Sequence, residues 1–428
     1  MTFTEVILSK MNQLFISPSY IPIDSSVTLI NAKIIDRLDD SGVSTTVLTV
    51  SSQDTSYNVT PKLLDIFKSK RRVYRVRSYE TGGTFLMALR KVLRKVFPVI
   101  FFAPDYHFIW EFLAILKLFK IKRECKIDII HSVSAPYCSH IVGYIAKTIL
   151  KKPWVCHLDD FWADQPAEHF DRYRFLNRWI ERECFEKADV ILSTSREILS
   201  LAAARYPEAI RKKFTFVPPS YESSHYPARC GASNGKFRFT YLGVFYPGKR
   251  EPVSLFEALR IIRETHPQTY GRIEVYLVGV NHKTYQSMAE GLGIADVVKC
   301  CGRLDYLESM KLMKETSILV HIGYMSGKFA EDIHVSGKLF EYLGAERLMF
   351  AITTPSGPVS DFIRENNGIV SDYNNPNDIA DAVVKIVSDY SFDDLYNWKN
   401  PSHVQKLYSS ESVASAYKEL FKRLISNA

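Results

Sequence analysis

The second half of the chain alternates short apolar runs with segments whose apolar residues recur every three or four positions. Three runs of strand length stand at residues 237–242, 273–278 and 318–321. The first run is followed by Gly243 and then, at residues 252–264, by a helical pattern. Such an alternation predicts an α/β fold with a doubly wound parallel sheet. Its ligand crevice would lie at the carboxyl ends of the strands.

Two further patterns predict how the chain is divided. Residues 221–236 are polar and rich in Ser, Pro and Gly, which indicates an interdomain linker near the middle of the sequence. Residues 409–426 carry apolar side chains at spacings of three and four, which predicts an amphipathic C-terminal helix. A chain of 428 residues is long enough for two to three domains with cores of their own.

The segment VSGKLFEYLG at residues 335–344 has the most specific candidate chemistry. Lys338 and Glu341 are three residues apart and share one face of a helix that would begin near Gly337. Main-chain N–H groups at a helix N-terminus attract phosphate, and Lys338 would add a positive charge. Glu341 could accept hydrogen bonds from ribose hydroxyls. The simpler alternative is an amphipathic helix on which both charges are only solvated.

A second basic site follows the first apolar run. Lys249 and Arg250 end the turn-rich loop that begins at Gly243 and precedes the helical pattern. Both would therefore lie near the carboxyl end of a strand, where a parallel sheet binds its ligand.

These motifs resemble those of family 4 glycosyltransferases of the GT-B fold, which are retaining enzymes that use sugar nucleotides. The resemblance is good over residues 237–390 and weaker before them. It rests on Gly243 with Lys249 and Arg250, on VKCCGRL at 298–304, KLFEYL at 338–343, NGIV at 367–370 and NPNDIA at 375–380, and upstream on DIIHS at 128–132, KPWV at 152–155, DFW at 160–162 and ADVI at 188–191.

The resemblance implies two Rossmann-like doubly wound domains that face each other across a cleft. Residues 1–220 would bind the acceptor, and residues 221–401 would bind the sugar nucleotide. Residues 402–428 would form a helix that crosses back to pack on the N-terminal domain.

The resemblance also implies roles for individual residues of the second domain. Glu341 matches the second glutamate of the family's paired-glutamate motif and would hold the ribose. Arg250, with Lys249 beside it, matches the basic residue that grips the diphosphate. The first glutamate of the motif is replaced by Ile333, and the basic residue that usually follows the loop glycine is replaced by Val244. Lys338 could supply the missing charge.

Candidate residues of the N-terminal half are Asp160, His131 and Ser25. The resemblance places an acidic residue at the Asp160 position on the acceptor side, so Asp160 would bind or activate an acceptor hydroxyl; alternatively it caps the following segment or pairs with a basic neighbour. His131 follows a predicted strand and is either a cleft residue or a structural histidine. The family's glycine-rich first loop is absent, but small serines such as Ser25 would let a phosphate or sugar approach the helix that starts near Ser26.

We expect no cofactor and no metal ion, because basic side chains and helix N-termini can stabilise the leaving diphosphate of a sugar-nucleotide donor. The pair Asp159 and Asp160 is the only tempting pair of carboxylates. The seven cysteines form no CxxC pair, and the N-terminus has no long apolar core of a secretory signal. Both features favour a cytoplasmic location with reduced thiols.

The net charge of +8 suggests an anionic partner. Basic residues cluster at positions 68–77 (Lys68, Lys70, Arg71, Arg72, Arg75 and Arg77) and 90–95 (Arg90, Lys91, Arg94 and Lys95), and an aromatic-rich segment follows at 101–123. This combination suits peripheral binding to the inner face of the cytoplasmic membrane. The alternative is a set of helices with a solvated basic face. Nucleic acid is a poorer fit, and no segment is long enough to span a bilayer.

Together with these residues, the resemblance implies a retaining glycosyltransferase that moves a sugar to a hydroxyl of a glycan or lipid-linked oligosaccharide, in surface polysaccharide assembly. Two alternatives stay open. A sugar-nucleotide epimerase can share the fold, and a non-catalytic nucleotide-binding relative would explain Ile333 and Val244. An NAD oxidoreductase is disfavoured because no GxGxxG follows the first strand.

Overall fold

The computed structural model describes residues 11–67, 71–79, 105, 107–163, 174–228, 235–279, 282–324 and 335–428. The chain forms two compact units, one of Met1–Pro219 with Ser410–Ala428 and one of Ser220–Ser409. The expected boundaries stood after residues 220 and 401. Residues 402–409 thus lie in the second unit, and only the chain from Ser410 onward returns to the first.

The first unit is a parallel sheet with helices on its faces. Its strands are β1 (Met11–Ile16), β2 (Val43–Val50), β3 (Arg72–Val76), β4 (Ile129–Ser134), β5 (Trp154–Leu158), β6 (Val190–Ser193) and β7 (Phe214–Phe216). Its helices up to residue 219 are α1 (Ser26–Asp40), α2 (Leu63–Ile66), α3 (Phe108–Glu124), α4 (Cys138–Leu150), α5 (Arg174–Lys187), α6 (Arg196–Ala203) and α7 (Glu208–Arg211). The strand order is β3-β2-β1-β4-β5-β6-β7, and every described pairing is parallel.

The second unit is built in the same way. Its strands are β8 (Phe237–Leu242), β9 (Ile273–Val278), β10 (Val298–Gly302), β11 (Ile318–Ile322), β12 (Leu348–Thr353) and β13 (Ile369–Asp372). Its helices are α8 (Val253–Thr265), α9 (Pro267–Gly271), α10 (His282–Gly291), α11 (Tyr306–Glu315), α12 (Gly337–Ala345), α13 (Pro358–Glu365), α14 (Pro376–Asp389), α15 (Phe392–Tyr396) and α16 (His403–Tyr408). The parallel strands follow the order β10-β9-β8-β11-β12-β13, so the predicted doubly wound sheets are confirmed.

The last helix, α17 (Ser410–Ser426), completes the first unit. Tyr417, Leu420 and Phe421 are buried in one cluster with residues of β4, β5 and α1. Arg37 of α1 also lies 3.3 Å from the carboxylate of Glu411. The predicted return of the C-terminal helix to the N-terminal domain is confirmed. Its cause is the apolar face at spacings of three and four, which only a second apolar surface can cover.

The described part of the predicted linker is not a free connection. Tyr221 and Tyr226 are buried within the second unit, and the N–H of Tyr221 donates to the carbonyl of Tyr408. Composition did not indicate that these two tyrosines are buried, because most of their sequence neighbours are polar. Residues 229–234 lie outside the described part of the chain.

The basic cluster at 68–77 is not one solvated patch. Arg71 is buried, with its Nε 2.6 Å from Asp39 and its guanidinium in contact with Asp36. Arg75 donates to the carbonyl oxygen of Ile21 at 2.7 Å. Lys68, Lys70 and the cluster of Arg90, Lys91, Arg94 and Lys95 lie outside the described residues. Within the described ranges, no helix is both long and apolar enough to cross a bilayer.

Candidate functional site

The first residue of the loop after β8 lies against the end of the Lys338 side chain. Gly243 has φ near +156°, and a Cβ there would lie 2.5 Å from Nζ of Lys338. Its N–H donates to the carbonyl oxygen of Val278 at 2.9 Å, which holds the loop against the end of β9. The positive φ favours glycine at this position, and a Cβ there would displace the end of the Lys338 side chain.

The Tyr241 hydroxyl is the point at which the predicted cations meet. Tyr241 ends the buried face of β8, and Nζ of Lys338 donates to its hydroxyl at 3.4 Å while lying 4.7 Å from the ring centroid. Burial raises the pKa of Tyr241, and the Arg250 guanidinium beside the hydroxyl opposes that rise. Lys338 and Arg250 are 88 positions apart in sequence but approach the same hydroxyl.

Arg250 and Lys249 have different environments. The main chains of Tyr246 and Arg250 pair in both directions, at 2.8 and 2.9 Å, so the loop is a tight hairpin. Arg250 is 7% exposed, and its guanidinium lies 3.9 Å from the ring centroid of Tyr324. Lys249 is exposed at the turn. Arg250 is therefore held in place, and Lys249 extends into solvent.

The N-terminus of α12 brings main-chain donors and a polar hydroxyl to the same region as Lys338. The helix begins at Gly337 after Ser336, whose side chain does not cap it. The Oγ of Ser336 is buried and has no hydrogen-bond partner in the described part of the chain. A buried hydroxyl without a partner is costly, so a bound polar group would satisfy it.

The carboxylate of Glu341 is oriented by a tyrosine. The Tyr226 hydroxyl lies 2.8 Å from Oε2 and also 2.8 Å from the main-chain oxygen of Glu341. Burial raises the pKa of Tyr226 well above its usual value, and the charge of Glu341 adds to the rise. Tyr226 therefore stays a hydrogen-bond donor. A Cβ at Gly344 would lie 2.7 Å from this hydroxyl, so glycine makes the contact possible.

The position of α12 on the sheet is set by Tyr342. Its hydroxyl accepts the N–H of Leu242 at 3.1 Å and donates to the carbonyl oxygen of Val320 at 3.1 Å. These bonds connect the helix to β8 and β11. Lys338, Arg250, Gly243 and the start of α12 are thus assembled at the carboxyl edge of the second sheet, with Glu341 one turn further along. Two cations, the main-chain N–H groups of a helix N-terminus and an oriented carboxylate suit an anionic ligand that carries hydroxyls.

Asp160 of the first unit lies just after β5. Its Oδ1 accepts the N–H of Phe161 at 2.8 Å, which matches the alternative in which it caps the following segment. Its charge also contributes to the raised pKa of Tyr137, although burial is the larger cause. Tyr137 in turn stacks on Trp162 with ring centroids 5.4 Å apart. An acceptor role for Asp160 stays a proposal.

His131 lies in the core of the first unit rather than in an open site. It is 2% exposed within β4, and its Nε2 is 3.1 Å from Nδ1 of His157. Burial lowers the pKa of His131 well below its usual value, and His157 and His140 add to the shift. The ring is therefore neutral and packed, which favours the structural interpretation over a cleft role.

The chain of buried polar groups continues from His157 to Asp159. Nε2 of His157 lies 3.0 Å from Oδ1 of Asp159, and the Asp159 carboxylate also accepts from Thr194 at 3.1 Å and Asn31 at 3.2 Å. Asp159 therefore binds to the interior of the unit and does not act as a pair with Asp160. Among the described residues, no group of three or more His, Cys, Asp or Glu side chains could hold a metal ion.

Ser25 caps the helix that the sequence predicted. Its side chain accepts the N–H of Thr28 at 3.2 Å at the start of α1. Its hydroxyl is 2.7 Å from that of Ser19, so the serines of this loop form a hydrogen-bonded cluster. A donor-binding role for Ser25 stays a proposal.

The sequence reasoning did not find Tyr241, Tyr226, Ser336 or Tyr324. Tyr241 had a usable signal, because it places a polar tip on an apolar strand two residues before the loop glycine. No sequence signal pointed to Tyr226, because it lies in the stretch whose composition predicted a linker.

Residues 30–219 match the family model of the glycosyl transferase 4-like domain. No curated protein sequence matches the chain. The match covers most of the first unit, where the sequence resemblance was the weaker. It confirms the resemblance to GT-B glycosyltransferases of the family 4 type.

Three solved structures show the same fold over nearly the whole chain. The structure of Anabaena HepE in complex with UDP and glucose has a TM-score of 0.66 at 16% identity, covering 97% of this chain and 100% of that one. Sucrose-phosphate synthase from Thermosynechococcus elongatus has a TM-score of 0.65 at 13% identity, covering 98% and 100%. The apo form of the lipopolysaccharide outer core galactosyltransferase WaaB has a TM-score of 0.59 at 14% identity, covering 97% and 100%. At such identities the likeness shows the GT-B fold alone.

Proposed function

We propose that this chain, with its glycosyl transferase 4-like segment and GT-B fold, is a retaining glycosyltransferase. It would move a sugar from a nucleotide-diphosphate donor to a hydroxyl of a glycan or lipid-linked oligosaccharide, in surface polysaccharide assembly. The observation that carries the proposal is the meeting of Lys338 and Arg250 at the Tyr241 hydroxyl, beside the N-terminus of α12.

Each part of the site has a role in this chemistry. Cleavage of the anomeric bond leaves extra negative charge on the diphosphate, and Lys338, Arg250 and the N–H groups of α12 would stabilise it. The orphaned Oγ of Ser336 would donate to a phosphate oxygen. Glu341, held by Tyr226, would accept the ribose hydroxyls. Because protein cations neutralise the leaving group, we expect transfer to continue in the presence of a chelator.

Two kinds of support come from the similar structures. Anabaena HepE was crystallised with UDP and glucose, which favours a UDP-type donor. WaaB is a galactosyltransferase of the lipopolysaccharide outer core, which favours a surface-glycan acceptor. In the first unit, Asp160 beside Tyr137 and Trp162 is our candidate for the acceptor side. We place the enzyme in the cytoplasm, peripherally on the inner face of the membrane.

The test uses a panel of sugar nucleotides and two matched variants. Lys338→Met removes the charge at the site, and Lys385→Met removes an exposed charge elsewhere in the second unit. Removing a charged hydrogen bond costs about 1.5–3 kcal/mol. We therefore expect UDP affinity, measured by calorimetry, to fall roughly ten- to hundredfold in Lys338→Met and to be unchanged in Lys385→Met.

The same panel separates the alternatives. Slow release of the nucleotide, with the anomeric configuration retained in transfer products, supports the proposal. Isomerisation of the sugar without release would identify an epimerase. UDP binding without either reaction would identify a non-catalytic nucleotide-binding protein, and equal UDP affinity in both lysine variants would refute the assignment of the site.

A further inference from the structure

Helix α3 buries one side and leaves a second apolar stripe exposed. Trp110, Ala114 and Leu118 are fully buried in the first unit. Phe112, Leu116 and Phe119 are 63%, 51% and 55% exposed. Their spacing of four and three places them on one face of the helix. The sequence left two interpretations open, binding to an anionic membrane surface or a helix with a solvated basic face and its apolar residues in the core. The helix has a buried apolar side and, in addition, an exposed apolar stripe.

A neighbouring helix on the same side of the sheet shows a similar surface. The connections from β3 to β4, β5 and β6 all run in one direction across the sheet, so right-handed crossovers place α3, α4 and α5 on one face. Helix α3 packs on α4, and α4 on α5. On α5, Phe175 is 86% exposed and Trp179 is 54% exposed. Exposed aromatic side chains thus flank α4 on both sides.

A cationic groove adjoins the apolar stripe of α3. It has a volume of about 360 Å³ and lies between the end of β3 and the middle of α3. Its lining residues are Arg75, Val76, Arg77, Tyr79, Leu113, Leu116, Lys117 and Lys120. Among the described residues that line the groove, four are cations and none is a carboxylate. Lys120 is also 3.6 Å from Glu124, which lies at the end of the helix.

We propose that this face of the first unit docks on an anionic lipid bilayer. Phe112, Leu116 and Phe119 would insert between lipid chains, and lipid phosphates would occupy the adjacent groove beside Lys117 and Lys120. An apolar stripe next to a groove lined by cations fits anionic lipid better than a protein surface, because each bilayer headgroup offers a phosphate above hydrocarbon. Exposed Trp and Phe on α5 suit the same interface.

This inference rests on the proposed membrane location and names the surface responsible for it. It differs from the expectation based on the basic clusters at 68–77 and 90–95. Its basis is the exposed apolar stripe together with Lys117 and Lys120 beside it.

The experiment is flotation of the full chain with vesicles of phosphatidylglycerol and phosphatidylcholine, compared with vesicles of phosphatidylcholine alone. One variant, Phe112→Asn with Phe119→Asn, removes two of the three apolar side chains of the stripe. A second, Lys117→Gln with Lys120→Gln, removes two charges with little change in size. Leu307→Asn and Lys385→Gln are matched controls, because both residues are exposed in the second unit.

We expect the wild-type chain and both controls to float with the anionic vesicles at low salt. The fraction of protein bound to the vesicles should fall at least tenfold in each α3 variant. Only the phenylalanine variant should keep the salt dependence of the wild type, because it retains both lysines. Quenching of Trp179 fluorescence by brominated lipid, absent in Trp179→Phe, would show that α5 also reaches the bilayer.

Three results would overturn the inference. The wild-type chain could fail to float, the α3 variants could float as well as their controls, or sedimentation could show that the stripe holds two copies of the chain together. UDP affinity, measured on the same variants, keeps this test separate from the proposed function. A chain that binds UDP but not vesicles refutes only the docking surface, and a chain that binds vesicles but not UDP refutes only the nucleotide site.

Discussion

Tyrosine hydroxyls hold the charged residues of the candidate site in the second unit. Tyr241 positions Lys338 and Arg250, Tyr226 orients Glu341, and Tyr342 attaches their helix to the sheet. Each hydroxyl is buried, where a satisfied hydrogen bond is strong and a broken one is costly. The charged groups therefore have defined positions before any ligand arrives.

Tyr226→Phe should weaken nucleotide binding without unfolding the chain. The change removes the hydroxyl that lies 2.8 Å from Oε2 of Glu341 and keeps the ring. We expect a loss of about 1 kcal/mol in nucleotide affinity, the usual value of one hydrogen bond, measured by calorimetry with UDP.

Tyr270→Phe is the matched control for this prediction. It removes a similar bond, 2.6 Å long, to Asp296 at the far side of the second unit. Equal UDP affinities in the two variants would show that Tyr226 does not serve the site.

Glu111→Gln should change the pH dependence of stability. Burial raises the pKa of Glu111 from 4.5 to about 8, and the charge of Asp105 adds to the rise. Between these values the proton stays on the folded form and leaves the unfolded one, so the free energy of unfolding falls as pH rises. Between pH ~5.5 and pH ~8 we expect the free energy of unfolding of the wild-type chain to fall by roughly 1–3 kcal/mol more than that of the variant.

Denaturant unfolding at the two pH values measures this difference. Glu124→Gln, at the exposed end of the same helix, should show the same change in the free energy of unfolding with pH as the wild type. If the free energy of unfolding changed equally with pH in the wild-type chain and in Glu111→Gln, Glu111 would be ionised in the folded state.

At the scale of the element, periodicity was a good guide wherever a segment has one apolar face. The strand Phe237–Leu242 was predicted to the residue, and α12 begins at Gly337 as its sequence indicates. Partners distant in the sequence could not be predicted, because no spacing rule connects Tyr226 to Glu341 or Arg71 to Asp39. His131 shows the same limit, since a histidine near a strand end gives no sign of which rings will enclose it.

Phe421→Ala should destabilise the first unit. Phe421 on α17 is fully buried and lies 5.9 Å, centroid to centroid, from His131. Truncation of a buried Phe typically costs about 3–5 kcal/mol because it leaves a cavity. We expect denaturant unfolding to show a loss in this range.

Phe175→Ala provides the comparison, because Phe175 is 86% exposed. This substitution should change the free energy of unfolding by no more than about 0.5 kcal/mol. A small loss in Phe421→Ala would contradict the packing of α17 on the first unit.

At the scale of the whole molecule, the two units differ in how the chain builds them. The second unit uses the continuous stretch Ser220–Ser409 and has its own sheet and core. The first unit uses two separate stretches. The division into two domains was predictable from the sequence pattern and the resemblance. The residue at which the chain returns to the first unit, Ser410, was not, because it depends on contacts between residues that are distant in sequence.

The segment 220–409, expressed alone, should fold and bind UDP. Its candidate site uses only residues within this stretch. At a UDP concentration about 100 times Kd, binding should stabilise it by about 2.7 kcal/mol, which a thermal shift would reveal. The same segment with Lys338→Met should show a much smaller shift at that concentration. A folded segment that does not respond to UDP would contradict the assignment of the site to this unit.

The return of α17 also sets an order of events during protein synthesis. Proteins generally acquire structure from the N-terminus as they emerge from the ribosome. Here the apolar surface of β4, β5 and α1 has no cover until residues 410–426 have been made. We therefore expect the second unit to mature first, although it is encoded later. A message that stops early would yield a chain with an open apolar face, which chaperones and proteases would recognise.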